Sequence, residues 1–319
     1  MSFLNLLSRM PAAIAQGLLW GVMALGVYIT FRVLNLSDLS VDGTFATGGA
    51  VSVMLLLAGC PAWLAILAAM AAGIAAGLIT GLLHTKLGIP AILAGILTQF
   101  SLYSINLRIM GMKANQSANI KNYGMFYENG TGFLVSTRHI VPAIVMGLVI
   151  GIIVVTALYW YFGTEQGSAV RATGCNPQMS SAQGVNVSNI KLLGLGLSNG
   201  LVALAGALMT QFQGTADVNM GRGAIVIGLA AIVIGEVLCD ALFGKDCNFA
   251  LRLAFVVVGG ILYYVVMTVI LWLKLDPNDL KLFTAIIVAL FLAVPNLQQQ
   301  SKSSFGQAAQ RSRALRKED

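Results

Sequence analysis

The sequence predicts an all-α membrane protein: a polytopic bundle of about nine transmembrane helices with one short helix on the cytoplasmic side. Three observations lead there. Apolar residues make up 57% of the 319-residue chain and charged residues only 10%, against about 25% charged in a typical soluble domain. The apolar residues gather in runs long enough to cross a bilayer, which takes about 20 residues. Glycine is abundant, at 35 residues, as expected where helices approach closely in lipid. The mean hydropathy of +0.83 agrees.

The runs fall at residues 11–34, 43–59, 61–83, 88–110, 139–162, 191–213, 223–243, 249–273 and 281–297. The first is too long for the core of a cleavable signal peptide. The second is short and begins in polar sequence, so whether it spans is left open. A polar loop, residues 112–138, separates the fourth and fifth runs. A second polar stretch, residues 163–190, separates the fifth and sixth. These elements form one transmembrane domain, residues 1–297, followed by a basic tail, 298–319.

The tail holds Lys302, Arg311, Arg313, Arg316 and Lys317. A basic segment after the last run marks the cytoplasmic face. Nine crossings then put the N-terminus outside, the 112–138 loop outside and the 163–190 segment inside. The remaining basic residues do not decide the orientation, with six inside against eight outside.

Composition also excludes. The net charge of +7 does not point to nucleic acid, since five of the basic residues belong to the tail after the last hydrophobic run. Cys60, Cys175, Cys239 and Cys247 form no CxxC pair, and neither His84 nor His139 has a metal-ligand partner nearby in sequence. No disulfide framework and no metal site are expected. No GxxxxGK[ST] occurs, so the chain has no P-loop for ATP phosphates.

The polar stretch RATGCNPQMSSAQGVNVSNIK begins at Arg171 and ends at Lys191. Asn176 is a good N-cap, and Pro177 follows where its missing N–H costs nothing. Gly184 stands where a left-handed C-terminal cap is wanted. Asn186 or Ser188 can cap the next span. The result is a helix of about two turns, too short to be stable alone in water. It has almost no apolar face and no charge, unlike an interfacial membrane helix. A protein partner is the better reading.

This stretch resembles the cytoplasmic loop of ABC importer permeases of the branched-chain amino acid and ribose type. Arg171, Ala172, Gly174, Asn176, Pro177, Ala182, Gly184 and Val185 carry the resemblance, and Glu165 stands where the family often has an acidic residue. A second match is NLSDLSVDGTFATGGAV, residues 35–51, through Asp38, Leu39, Ser40 and Val41, with Asp42 before the expected glycine. A third is ALAGALMTQFQG, residues 203–214. The resemblance implies a short coupling helix held in a cleft of a separate ATPase subunit. Two ATPase subunits would bind ATP and Mg²⁺, leaving no cofactor in this chain. It also implies an external substrate-binding protein and a second permease copy, most simply a homodimer, in a bacterial inner membrane. Sugar permeases of the family usually carry an extra N-terminal span, which favours an amino acid here, with an aromatic one named first. The rivals are a sugar or nucleoside permease of the same fold and an ion-driven secondary transporter.

Several polar residues inside the runs are candidates for the translocation pathway. Asp38, Ser40, Asp42 and Thr44 lie in a break between spans, where they either line a path or cap the following helix. Thr98, Gln99, Tyr103 and Asn106 belong to the polar run TQFSLYSIN. Gln99, Tyr103 and Asn106 can share one helical face, either toward a solute or toward a neighbouring helix. Asn199, Gln211 and Gln213 complete the set. The interruptions NLSDLSVDGTFATGG and QFQGTADVNMGRG echo one another in the two halves; such pairs can mark a pathway, or they are two ordinary loops. Glu236 and Asp240, four apart, share a face. Without a nucleophile or metal ligand they fit pairing with Lys245 or Arg252, or a partner contact, better than catalysis.

Overall fold

The computed structural model describes residues 3–118, 133–243 and 247–272, with isolated helical positions at Leu282, Ala285, Ile286 and Ala289. The expected ninth span, 281–297, lies almost wholly outside these residues, as do the tail and Lys245. Among the described residues ten helices follow one another: α1 (Phe3–Tyr28), α2 (Val41–Leu57), α3 (Ala62–Thr85), α4 (Ala91–Ile109), α5 (Ile140–Gly163), α6 (Glu165–Cys175), α7 (Pro177–Ala182), α8 (Val187–Gln213), α9 (Ala224–Phe243) and α10 (Phe249–Trp272). A π-helical turn, Ile29–Val33, ends α1. Among the described residues seven helices are long and apolar enough to cross a membrane, and α2 is a shorter apolar helix of 17 residues.

Helix α8 is the axis of the bundle. Its middle, from Ser198 to Phe212, is buried throughout. Small residues permit this. A Cβ on Gly48 of α2 would collide with the Ala203 carbonyl of α8, and one on Gly206 of α8 would collide with the Phe45 carbonyl of α2. In lipid, where apolar surface gains nothing from leaving water, such backbone approach is what holds helices together. Gly73 and Gly77 of α3 pack on α8 in the same manner, against the Asn199 and Leu195 carbonyls.

The two polar interruptions fold alike. After the π-turn the chain leaves helical structure over residues 34–40, turns back alongside α8, and starts α2 level with the middle of α8: Asp38 and Ser40 both bond Asn199. After α8 a left-handed cap at Gly214 (φ 74°) releases the chain into a short strand, Thr215–Asp217, and a turn leading to α9. That turn meets the first residues of α2, since Gly221 lies against the Asp42 carbonyl. Helices α2 and α9 thus both begin about halfway along α8, and they run in opposite directions. Non-helical backbone at such depth is tolerated only where protein or a cavity surrounds it.

The strand after α8 pairs antiparallel with Asn115–Ser117, with Asn115 opposite Asp217. The loop after α4 is thereby pinned over the end of α8, reinforced by Thr137 N–H donating to the Phe212 carbonyl at 3.0 Å.

One expectation is corrected. Cys239, near the end of α9, is joined to Cys247 by a disulfide, their Cα atoms 6.7 Å apart. The chain reverses between α9 and α10 and brings together two cysteines eight residues apart, a spacing that matches no short motif. Cys60 and Cys175 are free.

Candidate functional site

A cavity of about 590 Å³ lies where α2, α4 and the turn before α9 meet. Helix α2 contributes Asp42 and Gly43 from its first turn, and α4 contributes Gln99, Phe100, Tyr103 and Asn106. The turn contributes Val218, Asn219 and Arg222. The α4 residues reach one place because positions three and four apart recur on one side of a helix. The volume is in the range that encloses a small molecule.

The walls combine apolar surface with a few polar groups, and the hydrogen bonds of those groups are unevenly distributed. The Asp42 carboxylate is fully engaged: it accepts from the Gly223 and Ile225 amides, each at 3.0 Å. It therefore caps α9, and α2 itself has no side-chain cap. Of the two readings left open for Asp42, local capping of Thr44 onward is not what the carboxylate does, because its donors belong to a helix far along the chain. Asn106 is fully buried; its Nδ2 donates at 3.5 Å to the Gly43 carbonyl while its Oδ1 has no partner. Asn219 Oδ1 is likewise without a partner. Arg222 makes no ion pair among the described residues.

Beneath the cavity a second cluster ties the re-entrant turn to α8. Asp38 is 3% exposed. One of its oxygens accepts from the Ser40 amide at 2.9 Å and the other from Asn199 Nδ2 at 2.8 Å. Ser40 Oγ donates to Asn199 Oδ1 at 3.1 Å. A buried carboxylate needs such partners, since an unpaired one is costly enough to unfold its surroundings.

The other candidates separate from the cavity. Thr44 donates within its own helix to the Ser40 carbonyl. Thr98 faces α3, receiving a bond from Thr80 at 2.9 Å. Gln211 bridges the Leu134 amide and the Ala62 carbonyl, and Gln213 is exposed at the end of α8. Gly43, Phe100, Val218, Asn219 and Arg222 were not candidates from sequence. The signal for the last two was present in the QFQGTADVNMGRG interruption, but nothing local ties that interruption to α4.

The polar stretch after α5 forms two helices, α6 and α7. Asn176 Oδ1 accepts from the Met179 amide at 3.0 Å, with Pro177 at the first position of α7. Gly184 has φ +86°; its amide donates to Ser181 and the Val185 amide to Ser180. That pair of bonds is the left-handed terminus in which glycine avoids a Cβ clash. Asn186, rather than Ser188, caps α8 by accepting from the Asn189 amide. Every residue of α7 except Ser180 is exposed, as are Glu165, Arg171 and Ala172. The Arg171 guanidinium sits 5.8 Å over the Phe249 ring. The inner face of α6 packs on the end of α1, so closely that a Cβ on Gly174 would collide with the Val33 carbonyl.

At the same end of the bundle Arg32 pairs with Glu236 at 2.7 Å, and Arg252 lies 3.9 Å from Asp240. The second pairing follows from sequence; the first, across 204 residues, does not.

A family profile described as "Branched-chain amino acid transport system / permease component" matches residues 10–295. The chain belongs to this family. The permease is 37% identical over 302 residues to the "Tyrosine transport system permease protein" of Clostridioides difficile, covering 93% of this chain and 95% of that one. It is 34% identical to "Uncharacterized protein RP368" of Rickettsia prowazekii, over 90% and 97% of the two chains. It is 26% identical to the "Ribose import permease protein RbsC" of Haemophilus influenzae, over 67% and 64%. No solved structure matches. Membership makes the chain a multi-pass transport permease of the ABC type.

Proposed function

We propose that this permease is the membrane-spanning subunit of an ATP-driven importer for a small solute, an amino acid, with an aromatic one the first candidate. It works with two ATPase subunits that hold ATP and Mg²⁺, a second permease copy and an external substrate-binding protein that delivers the solute. The N-terminus lies outside and the 163–190 segment faces the cytoplasm of a bacterial inner membrane. Helix α7 docks on the ATPase through the exposed Asn176, Pro177, Ala182 and Gly184, flanked by Glu165, Arg171, Ala172 and Gly174.

The observation that carries this reading is α7 itself: a helix of six residues, capped at both ends, exposed, and too short to persist without something to lie against. Its backbone joins α6, and α6 abuts the end of α1 at Val33. The chain then runs directly into the turn that holds Asp38, Ser40 and α2. A rigid displacement of α7 by an ATPase thus has a packed route to the cavity wall. The solute assignment rests on the tyrosine-system relative, which matches over nearly its whole length, whereas the ribose permease matches over 64% of its own length.

Co-purification tests it. The tagged permease, extracted from native membranes in mild detergent, should bring down a P-loop ATPase in stoichiometric amount. Uptake in vesicles by ATPase-free permease would contradict the proposal.

A further inference from the structure

Resting on the amino-acid reading above, we infer that the cavity between α2, α4 and the turn before α9 is a solute seat in the permease itself, selective for zwitterionic amino acids. Arg222 takes the carboxylate and Asn106 the ammonium group.

The charge distribution leads to the carboxylate. Arg222 stands two residues before α9, at the positive end of that helix's dipole, where a cation is unfavourable. The first turn of α2, also a positive end, opens on the same cavity without a side-chain cap. The one carboxylate present, Asp42, spends both oxygens on the α9 amides. The excess is positive, and the Arg222 guanidinium has no ion pair among the described residues. A planar guanidinium matches a carboxylate in two parallel hydrogen bonds. Helices that begin within the membrane commonly aim their N-termini at anionic solute groups.

The other end follows from the acceptors. Asn106 is fully buried, yet its Oδ1 lacks a donor, and Asn219 Oδ1 shares that condition. Buried acceptors call for a donor-rich partner, and an ammonium group supplies three N–H bonds. The rings of Phe100 and Tyr103 offer an apolar wall for a side chain. A neutral sugar would satisfy the acceptors but leave Arg222 without a counter-charge, so the seat discriminates against the ribose-type alternative.

The test uses full-length permease in lipid nanodiscs, without its partners, and the reconstituted complex. The probes are L-tyrosine, tyramine (no carboxylate), 3-(4-hydroxyphenyl)propanoate (no amine) and ribose. Saturable L-tyrosine binding, even at millimolar strength, is expected on the permease alone. Tyramine, the propanoate and Arg222→Gln should each weaken binding by about tenfold or more. Arg222→Lys should restore part of it, which a folding defect would not allow. Equal L-tyrosine binding by wild type and Arg222→Gln overturns the seat. So does an absence of binding while the reconstituted complex imports L-tyrosine, or ribose uptake by the wild-type complex that Arg222→Gln leaves undiminished. If no ATPase associates, the importer reading fails by itself, and the binding comparison still decides the seat.

Discussion

Asp38 and Asn199, 161 residues apart, meet at 2.8 Å in the centre of the bundle. The bond fixes the first re-entrant turn to the axis helix, and Ser40 completes the triangle. Replacing Asn199 by leucine leaves one oxygen of the buried Asp38 carboxylate without its donor, and Ser40 Oγ loses its acceptor. A loss of about 3–5 kcal/mol is expected. Thermal inactivation in detergent should show Asn199→Leu far less stable than wild type, with Asp38→Asn between them. An Asn199→Leu protein as stable as wild type would remove the structural role assigned to this pair.

Asp42 acts on a helix that begins 182 residues later in the chain, through Gly223 and Ile225. Asp42→Ala uncaps α9 and should cost about 1–2 kcal/mol. Asp42→Asn keeps an acceptor oxygen and should cost less. Ranked melting temperatures, wild type above Asp42→Asn above Asp42→Ala, check this; a reversed order would mean the caps are not what holds the two half-depth helices together.

Gly184 closes α7 with φ +86°. A β-branched residue there is strained by roughly 1–3 kcal/mol. Gly184→Val should insert into the membrane at normal levels, yet ATP hydrolysis by the assembled complex should no longer be matched by uptake. Normal transport by this variant would mean that the terminus of α7 has no part in coupling.

What the sequence made legible is local. The caps at Asn176 and Gly184 need only neighbouring residues, and the shared face of Gln99, Tyr103 and Asn106 needs only the helical repeat. Their chemistry is therefore written within a few positions. The carboxylates were different. Asp42 read as either a pathway residue or a cap for its own helix, because nothing nearby signals that the start of α9 would fold back against it. Arg222 was not a candidate for the same reason, and no disulfide between Cys239 and Cys247 was expected. Thr98 sits one residue before Gln99 but points to α3, since adjacent positions on a helix diverge by about 100°.

Arg32, in the turn that ends α1, pairs with Glu236 in the second half of α9, with side chains 55% and 17% exposed. A pair this accessible contributes little, about 1 kcal/mol or less. In a double-mutant cycle of Arg32→Gln and Glu236→Gln, the coupling in thermal stability should stay within that bound and shrink at high salt. Coupling of several kcal/mol would point to a buried pair in the working protein.

Cross-linking from α7 would decide whether this helix is the ATPase contact. A cysteine at Met179, 60% exposed on α7, is compared with one at Met112, 75% exposed at the opposite end of the bundle. Both are placed in a cysteine-free background that still transports and carry a short bifunctional maleimide. The expected result is a covalent adduct with a P-loop ATPase from Met179→Cys and none from Met112→Cys. No adduct from Met179→Cys in a transport-competent complex, or an adduct from Met112→Cys, would contradict both the docking role of α7 and the orientation proposed for the chain.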